Sequence, residues 1–220
     1  MSRECFMRPS RRALIRWAGR GVLGTSLAGV LGGSAAAADL QATPAQIEGP
    51  YYPSVKPEEA DWNLLAVADQ PLPDGEPLDL RGVVMNRHGD PVAGARVEIW
   101  QADNRGVYYH PRDDNRNQFD RRFQGYGATV TDAEGRYRFL TLMPVPYGER
   151  PPHIHVTIRS DAHDTLTTQL YLKDHPENDR DGLLALMIYP GQNLLMIEAK
   201  DADLGLARPG KRGDFDFVLV

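Results

Sequence analysis

Residues 81–100 read RGVVMNRHGDPVAGARVEIW, and this stretch decides the fold. Short runs at 81–85 and 95–100 have the alternation of a strand, in which successive side chains point to opposite faces. The segment between them begins with residues 86–91, which are rich in Asn, Gly, Asp and Pro, the residues that favour turns. The sequence therefore predicts two strands that follow each other closely along the chain.

The same pattern recurs over the rest of the chain. Further strands are predicted at these positions: 137–140, 153–158, 167–172, 194–199 and 214–219. No long segment has the 3.6-residue period of an amphipathic helix, and a short helix is predicted only around residues 181–188. We therefore expect an all-β fold, an antiparallel two-sheet β-sandwich with an extended N-terminal arm and little helix.

The chain divides into three parts. Residues 81–220 form the predicted sandwich domain, and residues 39–80, rich in Pro, Asp and Glu, form an arm and connecting segment. Residues 1–38 have the features of a twin-arginine (Tat) signal peptide, with SRRALIR at 10–16, an apolar stretch and small residues before a cleavage site near Ala38. The apolar stretch is shorter than the ~20 residues needed to span a bilayer, so cleavage is expected rather than anchoring.

Export follows from this signal. We expect the Tat machinery to deliver the protein to the periplasm or the medium, with no stable membrane association after cleavage. The sole cysteine, Cys5, lies in the leader, so no disulfide is expected in the mature protein. The chain has 25 basic and 30 acidic residues, of which the leader takes six arginines and one glutamate, so the mature net charge is about −10. Such a charge argues against nucleic acid as a partner.

The segment from Tyr147 through 150–155, RPPHIH, carries groups that bind metals. In an extended strand His153 and His155 project from the same face, so two imidazole nitrogens point the same way. Such a pair alone is weak evidence, because same-face histidines more often meet a carbonyl group or solvent. A second tyrosine-rich segment at 97–110 adds phenols, and the two segments together predict a metal site.

Six blocks of sequence occur in an order that is more specific than any one of them. They are EGPYY at 48–52, EIWQA with GVY at 98–102 and 106–108, TDAEGRYRF at 131–139, PVPY at 144–147, RPPHIH at 150–155 and LTTQLY at 166–171. In this order the chain resembles the intradiol ring-cleavage dioxygenases, which include protocatechuate 3,4-dioxygenases and catechol 1,2-dioxygenases. The resemblance covers residues 47–220 and implies the same β-sandwich fold.

The resemblance implies a non-haem ferric iron, Fe(III), held by two tyrosinates and two histidines. Carried over to this chain, the ligands are Tyr108, Tyr147, His153 and His155. The family's Gly-x-Tyr spacing selects Tyr108 rather than its neighbour Tyr109. A phenol with an ordinary pKa of ~10 loses its proton to ligate only beside a strongly charged cation, and oxygen donors suit a hard trivalent ion.

The implied activity uses a catechol-type substrate and O2. The ring would be cleaved between its two hydroxyl-bearing carbons, with both oxygen atoms incorporated, to give a muconate-type dicarboxylate. Arg150 would stabilise negative charge on the ring, and Gln169 would assist it. Without the resemblance, Arg150 would be interpreted as a surface cation and Gln169 as an ordinary strand residue.

Two other interpretations remain open at this stage. Residues 82–99 also resemble transthyretin-like and carboxypeptidase-regulatory-like domains, which would make the chain a secreted binding module without catalysis. Alternatively, copper or zinc could bind His153 and His155 with the tyrosines merely nearby. The complete set of two phenols, two imidazoles and a guanidinium favours the enzyme over the binding module.

Two features concern the substrate and the assembly. Only Gly148 and Glu149 separate Tyr147 from Arg150, where protocatechuate enzymes have a longer insertion, so a more open pocket and a bulkier or lignin-derived catechol are expected. The chain lacks the helical dimerisation domain of catechol 1,2-dioxygenases, and homo-oligomerisation is left open.

The pattern also predicts Trp100 between the sheets. It predicts four histidines in exposed loops without a role, namely His88, His110, His163 and His175, and leaves Tyr51 and Tyr52 either at the substrate mouth or in packing of the arm.

Overall fold

Ten strands and little helix make up the part of the chain that the computed structural model describes, residues 38–57, 60–185 and 192–220. The strands are β1 (Pro77–Asn86), β2 (Arg96–Trp100), β3 (Tyr126–Val130), β4 (Arg136–Leu142), β5 (His153–Ser160), β6 (His163–Leu172), β7 (Met196–Ile197), β8 (Lys200–Ala202), β9 (Gly210–Asp214) and β10 (Phe217–Leu219). Helical turns are α1 (Gly182–Ala185) and the 3-10 turns Arg116–Gln118, Asn178–Arg180 and Gln192–Leu195. The predicted signal peptide, except Ala38, lies outside the described residues.

The first sheet is built around β1, which has partners on both edges. β4 pairs with it antiparallel, while β9 and then β10 run parallel to it along the other edge, and β8 pairs antiparallel with β9. The chain crosses from β9 to β10 beside Gly82, where an added Cβ would lie 1.7 Å from the carbonyl oxygen of Phe215. Only glycine permits this close approach of two backbones.

The second sheet has the order β3-β2-β5-β6-β7. Its first four strands are antiparallel, and β7 runs parallel to β6. Along β5, Ile154, Val156 and Ile158 belong to the large core, while His153 and His155 are buried on the opposite face. The predicted alternation is therefore present, and both faces of this strand are covered.

The opposite, outer face of this second sheet carries a separate aromatic cluster. Trp100 packs there with Tyr108 and Tyr126, whereas its neighbour Ile99 belongs to the large core. The prediction that Trp100 lies between the sheets is thus wrong. The pattern identified a buried residue but not which of two buried faces it occupies.

The N-terminal arm crosses from one sheet to the other. Its backbone N–H groups donate from Leu40 to Arg87 of the first sheet's loop and from Thr43 to Val218 of β10. Gln46 then donates to the carbonyl of Thr167 in β6, at 2.8 Å. The arm thereby reaches the outer face of the second sheet, where residues that follow it cover the aromatic cluster.

The predicted all-β sandwich with an arm and little helix is confirmed. Both sheets also contain parallel pairs, because β7, β9 and β10 return along strands that run in the same direction. The predicted strand at 194–199 is a 3-10 turn followed by the two-residue β7, and the predicted strand at 214–219 is interrupted between β9 and β10. The helix expected at 181–188 is α1 as far as Ala185, and residues 186–190 lie outside the described residues.

Among the described residues, no helix is both long enough and apolar enough to cross a membrane.

Candidate metal centre

The four side chains predicted as ligands meet on the outer face of the second sheet. Their ring centroids lie 5.1 Å apart for Tyr108 and Tyr147, 5.3 Å for Tyr147 and His153, 4.8 Å for His153 and His155, and 6.2 Å for His155 and Tyr108. Each ring therefore neighbours the next in a closed circuit. Residues from a loop, a turn and a strand converge on one small volume.

The imidazoles have lone pairs that no neighbour uses. Nδ1 of His153 lies 2.7 Å from the carbonyl oxygen of Pro151, so it is the protonated nitrogen and Nε2 carries the lone pair. Among the described residues, Nε2 of His153 and both ring nitrogens of His155 are buried without a hydrogen-bond partner. Buried polar atoms are rarely left unpaired, so a cation that accepts these lone pairs fits the site.

Burial also sets the protonation of the four groups. It lowers the pKa of His153 to about 4, and burial together with the charges of His153 and Arg150 lowers the pKa of His155 well below its ordinary value. Burial raises the pKa of both Tyr147 and Tyr108 above the ordinary value of a phenol. Neutral imidazoles can ligate as they stand, whereas the phenols can lose their protons only to a strongly charged cation.

The candidate donor set contains no carboxylate. Within the described part of the chain, no cluster of three or more His, Cys, Asp or Glu side chains is placed to hold a metal ion. The candidate donors are two imidazoles and two phenols.

Buried carboxylates shape the loop that carries Tyr108. Oδ2 of Asp113 accepts the backbone N–H of Tyr108 at 2.8 Å. Asp103 accepts the N–H groups of Arg105 and Val107 through Oδ1, at 2.8 and 3.1 Å. These aspartates were not predicted. Asp103 acts like the Asx residues of turns, which bind the backbone a few residues further on, whereas Asp113 binds the backbone five residues before it.

A tight turn presents Tyr147. Its backbone N–H and carbonyl pair with those of Arg150 at 3.3 and 3.0 Å, and Gly148 in between has a φ of +54°. The loop of Tyr108 contacts this turn at Gly106, where an added Cβ would lie 2.6 Å from the carbonyl oxygen of Pro146. The short spacing noted in the sequence thus places both Tyr147 and Arg150.

Neighbouring strands hold His155 from both sides. It pairs with Trp100 of β2 and with Gln169 of β6 in the sheet register. The indole of Trp100 stacks on the imidazole, with centroids 4.9 Å apart and an interplanar angle of 9°. Gly49 of the arm approaches from outside, since a Cβ there would lie 3.2 Å from Cε1 of His155. The ring has little freedom to turn.

Arg150 and Gln169, the other two predicted residues, are brought together beside the ligands. Nη2 of Arg150 donates to Oε1 of Gln169 at 2.7 Å, to Oη of Tyr171 at 3.1 Å and to Oδ2 of Asp181 at 3.0 Å. Gln169 in turn donates to the carbonyl of Ile47 at 3.1 Å. The sequence did not indicate Tyr171 or Asp181, because neither belongs to a spacing pattern with Arg150.

The charge of Arg150 affects the pKa values of all four predicted ligands. It opposes the burial effect on the phenol pKa values of Tyr108 and Tyr147, and it adds to the lowering of the pKa of both histidines. A guanidinium so placed would also attract an anionic ligand to the same volume.

The open question about the two arm tyrosines is settled by their contacts. Tyr51 stacks on Tyr108 with centroids 4.7 Å apart and meets Tyr147 edge-on at 5.8 Å. Tyr52 instead donates its hydroxyl to Oε2 of Glu98 at 2.8 Å. Tyr51 therefore lines the site, and Tyr52 anchors the arm.

Two residues next to Tyr108 differ in their surroundings. Tyr109 is 52% exposed, under the guanidinium of Arg121. His110 was expected in an exposed loop, but it is buried, with its ring 5.7 Å from that of Tyr51 and its Nδ1 accepting the N–H of Arg112. That expectation was wrong because the arm, distant in sequence, covers the loop.

Known proteins are similar to this chain in sequence and in fold. A family model described as "Dioxygenase" matches residues 47–219. The chain is 33% identical over 153 residues to a catechol 1,2-dioxygenase of Acinetobacter baylyi, which covers 61% of the chain and 48% of that protein. It is 41% identical over 112 residues to a protocatechuate 3,4-dioxygenase beta chain of Burkholderia cepacia, covering 47% of the chain and 48% of that protein.

A solved structure resembles most of the chain. It is the dioxygenase domain of a dioxygenase carbohydrate-binding protein fusion from Streptomyces sp. SirexAA-E, with a TM-score of 0.62, 32% identity and coverage of 81% of this chain and 98% of that one. The fold and the site thus define a β-sandwich dioxygenase. The chain belongs to the family of intradiol ring-cleavage dioxygenases. It spans about half the length of the curated relatives described above.

Proposed function

We propose that this protein is a ferric-iron intradiol dioxygenase, which cleaves a catechol ring between its two hydroxyl-bearing carbons with O2 and forms a muconate-type dicarboxylate. Family membership supports the reaction class. The observation that carries the proposal is the circuit of two phenols and two imidazoles with buried, unpaired ring nitrogens. The transthyretin-like alternative has no comparable support.

Each ligand has a defined part in this proposal. Tyr108 and Tyr147 supply phenolate oxygens, His153 supplies the lone pair of Nε2, and His155 supplies that of one of its two ring nitrogens. Bound ferric iron would supply the positive charge that keeps the phenols deprotonated and would activate the bound catechol toward O2. One of these phenolates would accept a proton from a catechol hydroxyl at its Oη.

The neighbouring polar residues act on the organic substrate. Arg150 attracts the catechol dianion and stabilises negative charge that develops on the ring, since its guanidinium is fixed beforehand at the edge of the site. Gln169 accepts a hydrogen bond from Arg150 and donates one to the arm, and it thereby helps to hold the guanidinium beside the histidines of β5. Tyr51 forms an aromatic wall that can exclude water from one side of the ring.

The test is oxygen uptake by the iron-loaded protein with catechol, protocatechuate, hydroxyquinol and larger diphenols, combined with mass analysis of the products. We expect incorporation of two oxygen atoms and cleavage between the hydroxyls. Because only a two-residue turn separates Tyr147 from Arg150, we expect larger diphenols to be accepted as well. Iron-loaded protein without activity on the whole panel would contradict the proposal.

The identity of the metal has its own test. Ferric tyrosinate absorbs visible light, whereas zinc bound to the histidines does not. We expect the iron-loaded protein to be coloured and Tyr147→Phe to shift or weaken that colour. A colourless protein that binds zinc or copper in preference to iron would support the alternative in which the tyrosines are only nearby.

The proposal includes export. It is supported by the twin-arginine motif at 10–16 and the small residues before Ala38. Changing Arg11 and Arg12 together to Lys should leave the full-length chain in the cytoplasmic fraction, while the unaltered chain is recovered shortened outside the cytoplasm. Equal recovery of both outside would contradict it.

A further inference from the structure

Asp181 is a buried carboxylate that pairs with Arg150. Only 2% of its surface is exposed, and it lies immediately before α1. Its Oδ2 accepts from both Nε and Nη2 of Arg150, at 3.2 and 3.0 Å, and its Oδ1 accepts the N–H of Leu183 at 2.9 Å. Both carboxylate oxygens therefore have assigned partners, and one of them is shared by two guanidinium nitrogens.

The other two acceptors of hydrogen bonds from Nη2 are neutral. Gln169 and Tyr171 accept from Nη2, and Tyr171 donates its hydroxyl to Oε1 of Gln46 at 3.0 Å. A hydrogen bond between two charged groups is roughly twice as strong as one between neutral groups. Asp181 is thus the strongest restraint on a side chain that otherwise has several rotatable bonds.

We propose that Asp181 is a positioning residue, which holds the guanidinium of Arg150 in the one orientation that meets the anionic ring of the substrate. This rests on the function proposed above. Because Nε and Nη2 both donate to Oδ2 of Asp181, rotation of the guanidinium plane is limited. A misplacement of about 1 Å can cost about 100-fold in rate, so loss of this restraint has a catalytic consequence without any contact between Asp181 and the substrate.

A purely structural role for Asp181 would predict something else. Its Oδ1 also holds the first turn of α1 through Leu183, and loss of that bond alone would lower stability without a selective effect on Arg150. The variant Asp181→Asn keeps the size of the side chain and an oxygen acceptor. Asp179→Asn removes the same charge from an exposed position of the neighbouring 3-10 turn and is the matched control.

The first measurement is steady-state kinetics of iron-loaded variants. We expect Asp181→Asn to lower kcat/KM by about 10- to 100-fold, as loss of an outer partner of a catalytic group does, and Asp179→Asn to leave it within about 2-fold. The visible absorption of the resting protein should stay unchanged. In an Arg150→Met background, Asp181→Asn should have little further effect, because the two residues act as one unit. An equal loss in both backgrounds would overturn the proposal.

The second measurement needs neither iron nor turnover. Phenylglyoxal modifies arginine side chains, and peptide mass analysis reports the modification of Arg150 in the metal-free protein. We expect modification to be several-fold faster in Asp181→Asn than in the unaltered protein or Asp179→Asn. An unchanged rate would show that Asp181 does not restrain Arg150. If the unaltered protein cleaves no catechol, the proposed function fails, while this measurement still decides the role of Asp181.

Discussion

Tyr108 and Tyr109 are adjacent in sequence and differ in almost everything else. Tyr108 is buried among Tyr51, Tyr147 and His155, while Tyr109 is half exposed beneath Arg121. The chain bends at Tyr109, where the N–H of His110 donates to the carbonyl oxygen of Tyr108 at 2.8 Å, and this bend turns the two side chains to different surroundings. The pair therefore offers a substitution and its control one residue apart.

We expect Tyr108→Phe to lose or strongly shift the visible absorption of the iron-loaded protein and to lower kcat by at least about 100-fold, because removal of a proposed ligand exceeds the usual effect of an outer residue. Tyr109→Phe should keep both properties. Visible spectra and oxygen uptake of the two variants check this. Loss of colour in Tyr109→Phe with retention in Tyr108→Phe would contradict the assignment.

Residue spacing predicted the histidine pair, and the family resemblance implied the set of Tyr108, Tyr147, Arg150, His153, His155 and Gln169, which the structure brings close together. It could not predict Asp113 or Asp181, since an aspartate acquires its role from contacts across 5 and 31 residues that depend on loop conformation. The alternation of residues along a strand predicts which face of that strand a side chain occupies. It does not report what the rest of the chain places against that face.

At the scale of elements, Glu98 anchors the arm to the second sheet. This buried carboxylate of β2 accepts from Tyr52 and Lys56 of the arm, from Arg96 of its own strand and from Arg159 of β5. Burial acts to raise its pKa, but these donors outweigh it and the pKa is lowered from its ordinary 4.5. The arm that carries Tyr51 is thus tied down through Tyr52 and Lys56.

We expect Glu98→Gln to lower the free energy of unfolding by about 1.5–3 kcal/mol at pH 7, equivalent to roughly 3–12 °C in Tm, since hydrogen bonds to a charged acceptor are lost. Because the pKa of Glu98 is lower in the folded state than in the unfolded state, its ionisation stabilises the folded protein at pH values above the unfolded-state pKa. This stabilisation is lost as the pH falls toward the folded-state pKa. The difference between the variants should therefore shrink below about pH 4.5. Glu134→Gln, on the exposed surface, is the control in thermal unfolding. A difference that grows toward low pH would contradict the assignment.

Gly106 marks the contact between the loop of Tyr108 and the turn of Tyr147. Alanine there meets a left-handed φ of +72° and the carbonyl oxygen of Pro146, whereas Gly205, at a φ of +68°, has nothing within 4 Å of an added Cβ. Backbone strain of about 1–2 kcal/mol is common to both alanine variants. We expect Gly106→Ala alone to weaken iron binding and change the visible spectrum. Equal spectra in both variants would show that the contact does not position the tyrosines.

The strands themselves were partly predictable. Runs with clear alternation, such as 95–100 and 153–158, are strands in the structure. β8, with the sequence KDA, has no apolar position to mark it, and β3 begins within the glycine-rich stretch GYG. The direction of pairing could not be predicted for β9 and β10, because it depends on how the chain returns to β1.

At the scale of the whole molecule, a metal would add a direct link between segments that come from different parts of the chain. The donors come from the loop before β3, the turn before β5 and β5 itself, and the arm covers them. A ligand that binds the folded state raises its stability by about 2.7 kcal/mol at 100 times its Kd. We therefore expect iron loading to raise Tm by roughly 5–11 °C for a protein of this size.

Thermal unfolding of iron-loaded and chelator-treated protein checks this expectation. His153→Asn should abolish most of the shift, because it removes a proposed donor. A shift of the same size in His153→Asn would show that iron stabilises the protein from another location.

The arm precedes the sandwich in the chain, yet its partners lie far downstream. Thr168 donates to the carbonyl of Pro44, and Gln169 to that of Ile47, across 124 and 122 residues. During synthesis on the ribosome the arm emerges before the sandwich and has no surface to dock on until β6 has left the exit tunnel. Contacts so distant in sequence form late, because closing a long loop costs entropy before any contact forms. The arm is therefore made before the sandwich but docks over the candidate donors after it, and until then an incoming ion has access to those donors from that side.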